Sequence, residues 1–202
     1  MPEFPDTRKS LLVRMQTLHD EDAWSEFVAI YRPVVYRLAR GRGLQDADAE
    51  DLAQRVVIAV RRAIGDWDSD PAKGRFRSWL AKIAQNAIIN ALTRRPPDAA
   101  AGGTTIRELL DQQPEPDRRT QENLQCEYRR SLFRRAAQRI RPEFRNGTWD
   151  AFWLTTVDGM PVEGAGRALG KTVGAIYAAR SRVMRRLKEE IEQSGFLEEG
   201  GR

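Results

Sequence analysis

Apolar residues recur at three- and four-residue spacing along nearly the whole chain, and nowhere do they alternate with polar residues over the length of a strand. That pattern restricts the chain to an all-α architecture. Trp24, Phe27, Val28, Tyr31, Val34, Val35 and Leu38 form one such face, with Pro33 placed to kink or divide the helix. A second run, Leu52, Val56, Val57, Val60 and Ile64, follows Asp46 and Asp48, either of which can cap it. The segment DWDSDPAKG reads as a loop. Ser78 can then cap a third helix carrying Trp79, Leu80, Ile83, Ala84, Ala87, Ile88 and Leu92. Arg94-Arg95-Pro96-Pro97 ends it, because proline cannot continue the backbone ladder.

The pattern breaks once. Between residues 96 and 120, PPDAAAGGTT and QQPEPDRRT are rich in Pro, Gly, Ala and charge, with only IRELL between them. Such a stretch reads as a flexible linker. Helical spacing resumes with Leu124, Tyr128, Leu132, Phe133, Ala136 and Ile140, then Trp149, Phe152, Trp153 and Val157. After Asp158-Gly159 comes a short helix with Pro161 at its start, a break at Gly170-Lys171-Thr172, and a last helix bearing Val173, Ile176, Val183, Leu187 and Ile191. The 202 residues, 41% hydrophobic, suffice for two small cores. The expected organisation is an N-terminal segment over 1–19, helical domains over 20–95 and 121–192 flanking the 96–120 linker, and a tail over 193–202.

Catalytic equipment is sparse. His19 is the single histidine and Cys126 the single cysteine, so the expectation is no metal, no cofactor, no catalytic residue and no internal disulfide. No P-loop, GxGxxG or GxSxG is present. No run approaches the roughly 18 apolar residues that span a bilayer, and the polar start MPEFPDTRKS does not read as a signal peptide. A cytoplasmic protein with no membrane partner is expected.

The charge is unevenly placed. The chain is +5 overall, yet Arg129–Lys188 holds 14 Lys/Arg against 4 Asp/Glu. There, small Ala165 and Gly166, the turn at Gly170, and Val173 and Ile176 on the inner face of the next helix fit a helix-turn-helix. The last helix then presents Lys171, Tyr177, Ala178, Arg180, Ser181, Arg182, Arg185 and Arg186 to a DNA groove. In the first domain, Lys73–Arg95 carries 6 Lys/Arg and no acid, interleaved with Phe76, Trp79, Gln85, Asn86 and Asn90. Basic side chains can follow phosphates, amides can read base edges and rings can stack on unpaired bases. By spacing alone, a residue placed like Trp79 is more often core than a stacking platform. Asn86 and Asn90, four apart, fit a solvated helix face equally well.

DAEDLAQ…VVIAV followed by GRFRSWLAKIAQN…LTRR resembles region 2 of extracytoplasmic-function (ECF) RNA polymerase sigma factors of the sigma-70 family. The run from Arg141 to Ile191, RPEFRNGTWDAFWLTTVDGMPVEGAGRALGKTVGAIYAARSRVMRRLKEEI, resembles their region 4. The resemblance implies a region 2 bundle and a region 4 helix-turn-helix, with core RNA polymerase and promoter DNA as partners. An anti-sigma factor is a further partner it admits, and the free chain is expected to be a monomer. It implies polymerase contacts at Glu50, Asp51, Gln54 and Arg55. Around the minus-ten element it implies Phe76, Arg77, Trp79, Lys82, Asn86 and Asn90, with Asn86 on a flipped base. At the minus thirty-five element it implies Lys171, Tyr177, Ala178, Ser181 and Arg182. Where relatives often carry Gln-Glu, this chain reads Gln54-Arg55, and Tyr177-Ala178 stands where arginine is common. The alternatives are a helix-turn-helix regulator that acts without being a polymerase subunit, and a small nuclease, which would need clustered carboxylates.

Overall fold

A computed structural model of the chain describes residues 9–17, 20–67, 76–93 and 117–193. His19 and nearly all of the expected linker lie outside them, as do Lys73 and Arg75 of the basic run. Every regular element among the described residues is helical: α1 (Lys9–Gln16), α2 (Glu21–Gly41), α3 (Asp46–Ala63), α4 (Phe76–Thr93), α5 (Arg118–Ile140), α6 (Asn146–Thr156), α7 (Val162–Leu169) and α8 (Val173–Gln193), with short 3-10 turns at Ile64–Asp66 and Arg141–Glu143. The chain divides into two compact units, one reaching Ser131 and one beginning at Leu132.

In the first unit, α2 and α3 pack along each other with α4 beside them. The shared core is Phe27, Ile30, Tyr31, Val34, Leu52, Val56, Val60, Phe76, Leu80, Ile83 and Ala84. Pro33 does not divide α2: the helix runs unbroken through it. Proline removes one backbone donor, but Ile30, Tyr31, Val34 and Val35 around it are all buried, and that packing holds the helix together. Capping also differs from expectation. The N-cap of α3 is Gln45, which leaves Asp46 and Asp48 in the first turn, where they complement the helix dipole. Ser78 sits inside α4, which already includes Phe76.

Asp20 is the cap of α2. Its carboxylate accepts the Ala23 N–H at 2.8 Å and the Arg14 guanidinium at 2.8 Å. The Arg14 bond, then that backbone bond, hold the Asp20 carboxyl below the usual range. A group lowered in this way stabilises the fold above the unfolded value, about pH 4, and loses that contribution as pH falls through the folded value. Asp20→Ala should therefore lower the melting temperature at neutral pH, with the deficit closing in acid; thermal melts of both proteins across pH check this.

In the second unit, the C-terminal part of α5 joins α6 and α8 around Ala136, Ala137, Ile140, Trp149, Phe152, Val183 and Leu187. A second cluster, Ala151, Ala165, Ile176 and Ala179, joins α6, α7 and α8. Arg186, expected on the exposed basic face, is instead drawn inward. Its Nε and Nη2 donate to Glu143 at 2.7 and 2.8 Å, and Nη2 also reaches Glu190 at 3.2 Å.

Candidate nucleic-acid and polymerase interfaces

The turn between α7 and α8 fixes the helix-turn-helix. Gly170 adopts the left-handed conformation at φ +61°, its N–H donates to the Arg167 carbonyl, and the Lys171 N–H returns to the Gly166 carbonyl at 2.9 Å. This pair of bonds is a Schellman motif. A side chain at position 166 would place Cβ 2.9 Å from the Lys171 carbonyl oxygen, so glycine is required where the two helices meet. Thr172 then caps α8, its hydroxyl accepting the Ala175 N–H at 3.2 Å.

With Ile176, Ala179, Val183 and Leu187 buried, the opposite side of α8 faces solvent. Lys171, Tyr177, Ala178, Ser181 and Arg182 are all exposed, Tyr177 by 52%. Among the described residues no carboxylate pairs with Arg180, Arg182 or Arg185. Val173, expected on the inner face, is 41% exposed; only Ile176 of that pair is internal.

The outer side of α3 carries Glu50, Asp51, Gln54 and Arg55, all exposed. Their charges are matched within the chain: Glu50 with Arg32 at 2.5 Å and Asp51 with Arg55 at 2.9 Å. Such exposed pairs are worth little and exchange readily. Ile58, 40% exposed, lies one to two turns beyond Asp51 and Gln54 on the same face. The sequence reading passed over it, though an exposed isoleucine within a run of buried Val and Leu is the signal that marks it. Beside this face, the Tyr36 hydroxyl donates to Asp46; that bond, followed by burial, pushes the Tyr36 phenol up.

The minus-ten candidates on α4 are not brought together on one surface. Phe76 is 2% exposed and sits among Phe27, Tyr31, Trp67 and Trp79, with ring centroids 5.5–6.0 Å away. It is a core residue. Arg77 is buried with its guanidinium 4.9 Å from the Tyr128 ring centroid, so it faces α5 and not solvent. Asn86 is 1% exposed, which removes it from direct contact with a base in this conformation. Trp79, Lys82 and Asn90 are half-exposed. The physical reason is that α4 is embedded along most of its length and emerges only at its end, where Ala91, Leu92 and Thr93 are exposed. Asn86 and Asn90 share a face by spacing but not a depth.

The start of α5 lies against this unit. Asp117 accepts the Thr120 N–H at 2.6 Å, and its own N–H donates to the Gln85 side chain at 3.0 Å. The Thr120 bonds, then Arg42, hold the Asp117 carboxyl low. Residues 121–131 were expected with the second domain and 117–120 with the linker; the structure groups 117–131 with the first unit. No described helix is long and apolar enough to cross a membrane, and no described cluster of three or more His, Cys, Asp or Glu could hold a metal.

The first unit thus exposes a polar face on α3, and the helix-turn-helix of the second unit exposes a basic edge on α8. Residues 27–96 match the Sigma-70 region 2 family. Three curated relatives are named as ECF RNA polymerase sigma factors. SigE of Mycolicibacterium smegmatis is 28% identical over 163 residues, 81% of this chain and 58% of that protein. SigW of Bacillus subtilis is 34% identical over 79 residues, 39% of this chain and 41% of that one. SigD of Mycobacterium tuberculosis is 26% identical over 181 residues, 87% and 80% respectively. The aligned region spans about half the length of SigE and SigW. The chain carries a sigma-70 region 2 domain and is a homologue of the ECF RNA polymerase sigma factors.

Proposed function

We propose that this chain is an RNA polymerase sigma factor that acts in the cytoplasm and performs no chemistry of its own. It binds core polymerase through the outer face of α3, with Glu50, Asp51, Gln54, Arg55 and the exposed Ile58. It assists melting of the minus-ten element through the half-exposed residues of α4, Trp79, Lys82 and Asn90; the base-edge role first given to Asn86 passes to Asn90, the half-exposed amide. It reads the minus thirty-five element with Lys171, Tyr177, Ala178, Ser181 and Arg182. An anti-sigma factor as a further partner belongs to the same reading. The observation that carries it is the unpaired basic edge of α8 in a chain that also holds a region 2 domain. A regulator acting alone would explain the first feature and not the second.

Run-off transcription with purified core polymerase tests it. Promoter-dependent transcripts are expected only when chain and core are combined. Sequence-specific DNA binding by the chain alone, as a dimer on a palindrome, would favour the regulator instead. Within this reading, Arg182→Ala should cost about 1–3 kcal/mol of promoter affinity and relax selectivity at one minus thirty-five position. An equal loss across all base variants, measured by competition with the holoenzyme, would make Arg182 a phosphate contact.

A further inference from the structure

The first half of α5 is fastened to the first unit at three levels. At its start, Gln85 of α4 accepts the Asp117 N–H at 3.0 Å, while Arg42 bonds both Asp117 and Thr120. In the middle, Leu124 is buried and Glu127 pairs with Arg37 of α2. Toward its end, Tyr128 stacks on Tyr31 with centroids 5.4 Å apart, and the Ser131 hydroxyl donates to the Ile30 carbonyl at 3.0 Å in a buried bond. Arg77 of α4 lies under this helix, on the Tyr128 ring.

The composition of that contact is informative. Four residues of the segment are buried, Thr120, Leu124, Tyr128 and Ser131, and only two of them are large and apolar. The remaining ties are hydrogen bonds and ion pairs, which exchange with water far more readily than packed core. A segment held in this way belongs to the low-stability end of a fold, able to open without global unfolding. What it covers is a cation. A guanidinium resting on an aromatic face is favourably placed, but a phosphate, offering charge and bidentate geometry, competes for the same group.

We propose that residues 117–131 form a latch that withholds Arg77 from nucleic acid, and that release of this helix from α2 and α4 hands the guanidinium to a phosphate of single-stranded promoter DNA. The proposal rests on the reading of α4 as the promoter-melting helix. In the latched state Lys82 of α4 is half-exposed while Arg77 is buried beneath α5. Release exposes Arg77 as well, so affinity for single strands is governed by the latch equilibrium.

The test uses the full chain, a labelled single-stranded oligonucleotide and hydrogen exchange. Tyr128→Ala removes the stacked ring; Asp117→Ala with Ser131→Ala removes polar ties and leaves the apolar contacts, which covers the case in which the first variant misfolds. Faster exchange of the 118–131 amides and about three- to tenfold tighter oligonucleotide binding are expected, since apparent affinity scales with the open fraction. Arg77→Ala should remove that gain in the released background and leave the binding of the otherwise unchanged chain as it was. Faster exchange with no gain in affinity overturns the latch. So does a loss of binding on Arg77→Ala in the otherwise unchanged chain, because Arg77 would then already be in use. A chain inactive in run-off transcription with core polymerase overturns the sigma reading, and the binding measurements still decide the latch.

Discussion

Phe76→Ala is expected to destabilise the first unit by about 3–5 kcal/mol, the range for emptying a buried aromatic site. Phe76 is the residue on which the aromatic core converges: edge contacts to Phe27, Tyr31 and Trp67, and a tilted contact to Trp79. Those partners belong to α2, to the segment after α3 and to α4 itself, so one truncation loosens three parts of the unit at once. Phe76→Leu, which refills most of the volume, should recover much of the loss. A nucleic-acid contact behaves oppositely. A surface position changes stability by about 0.5 kcal/mol or less, and the cost of its removal appears in DNA binding. Amide exchange in α2 and α4, read with urea unfolding, separates the two. If Phe76→Ala leaves both unchanged and weakens only promoter opening, Phe76 belongs to the DNA surface after all.

What the sequence made legible follows from how each helix meets solvent. The two-sided helix α8 declares itself, because Ile176, Val183 and Leu187 repeat on one side and arginines fill the other. The outward positions of Tyr177, Ser181 and Arg182 could be read from spacing alone. In α4 the same logic has little to grip. Its apolar residues surround most of the helix, and Arg77, Gln85 and Asn86 are buried with them. A polar residue in such a run looks exposed by type while packing decides otherwise. The pattern of α5 is also ambiguous in a particular way. Leu124, Tyr128, Leu132 and Ala136 repeat without interruption, yet the first two are buried in one unit and Ala136 in the core of the other. Periodicity tells which side of a helix is apolar, never which neighbour covers it. Pro33 leaves α2 undivided because tertiary packing outweighs a local propensity worth one backbone bond.

Asn86→Asp should be among the most damaging changes that leave the shape of the protein nearly intact. Asparagine and aspartate have almost the same volume, so no cavity is created and no helix is broken; the difference is a charge. At a site 1% exposed, that charge loses its water. An uncompensated buried carboxylate costs about 3 kcal/mol or more, or is driven to protonate instead. Desolvation would raise the folded pKa of the introduced carboxyl above its unfolded value near 4. The sign of the pH dependence follows. A group that binds its proton more tightly when folded is best tolerated below the unfolded pKa, and its penalty grows as pH rises through the folded value. The variant should therefore approach the unchanged protein in stability in acid and fall well behind it at neutral pH. The same substitution at half-exposed Asn90 should show little of this dependence, and should instead change which base is preferred at the minus-ten element. Urea titrations of both variants at several pH values, alongside transcription from templates carrying each of the four bases, give the comparison. If Asn86→Asp is as stable as the unchanged chain at neutral pH, position 86 is open to solvent in the working protein, and the base-reading role returns from Asn90 to Asn86.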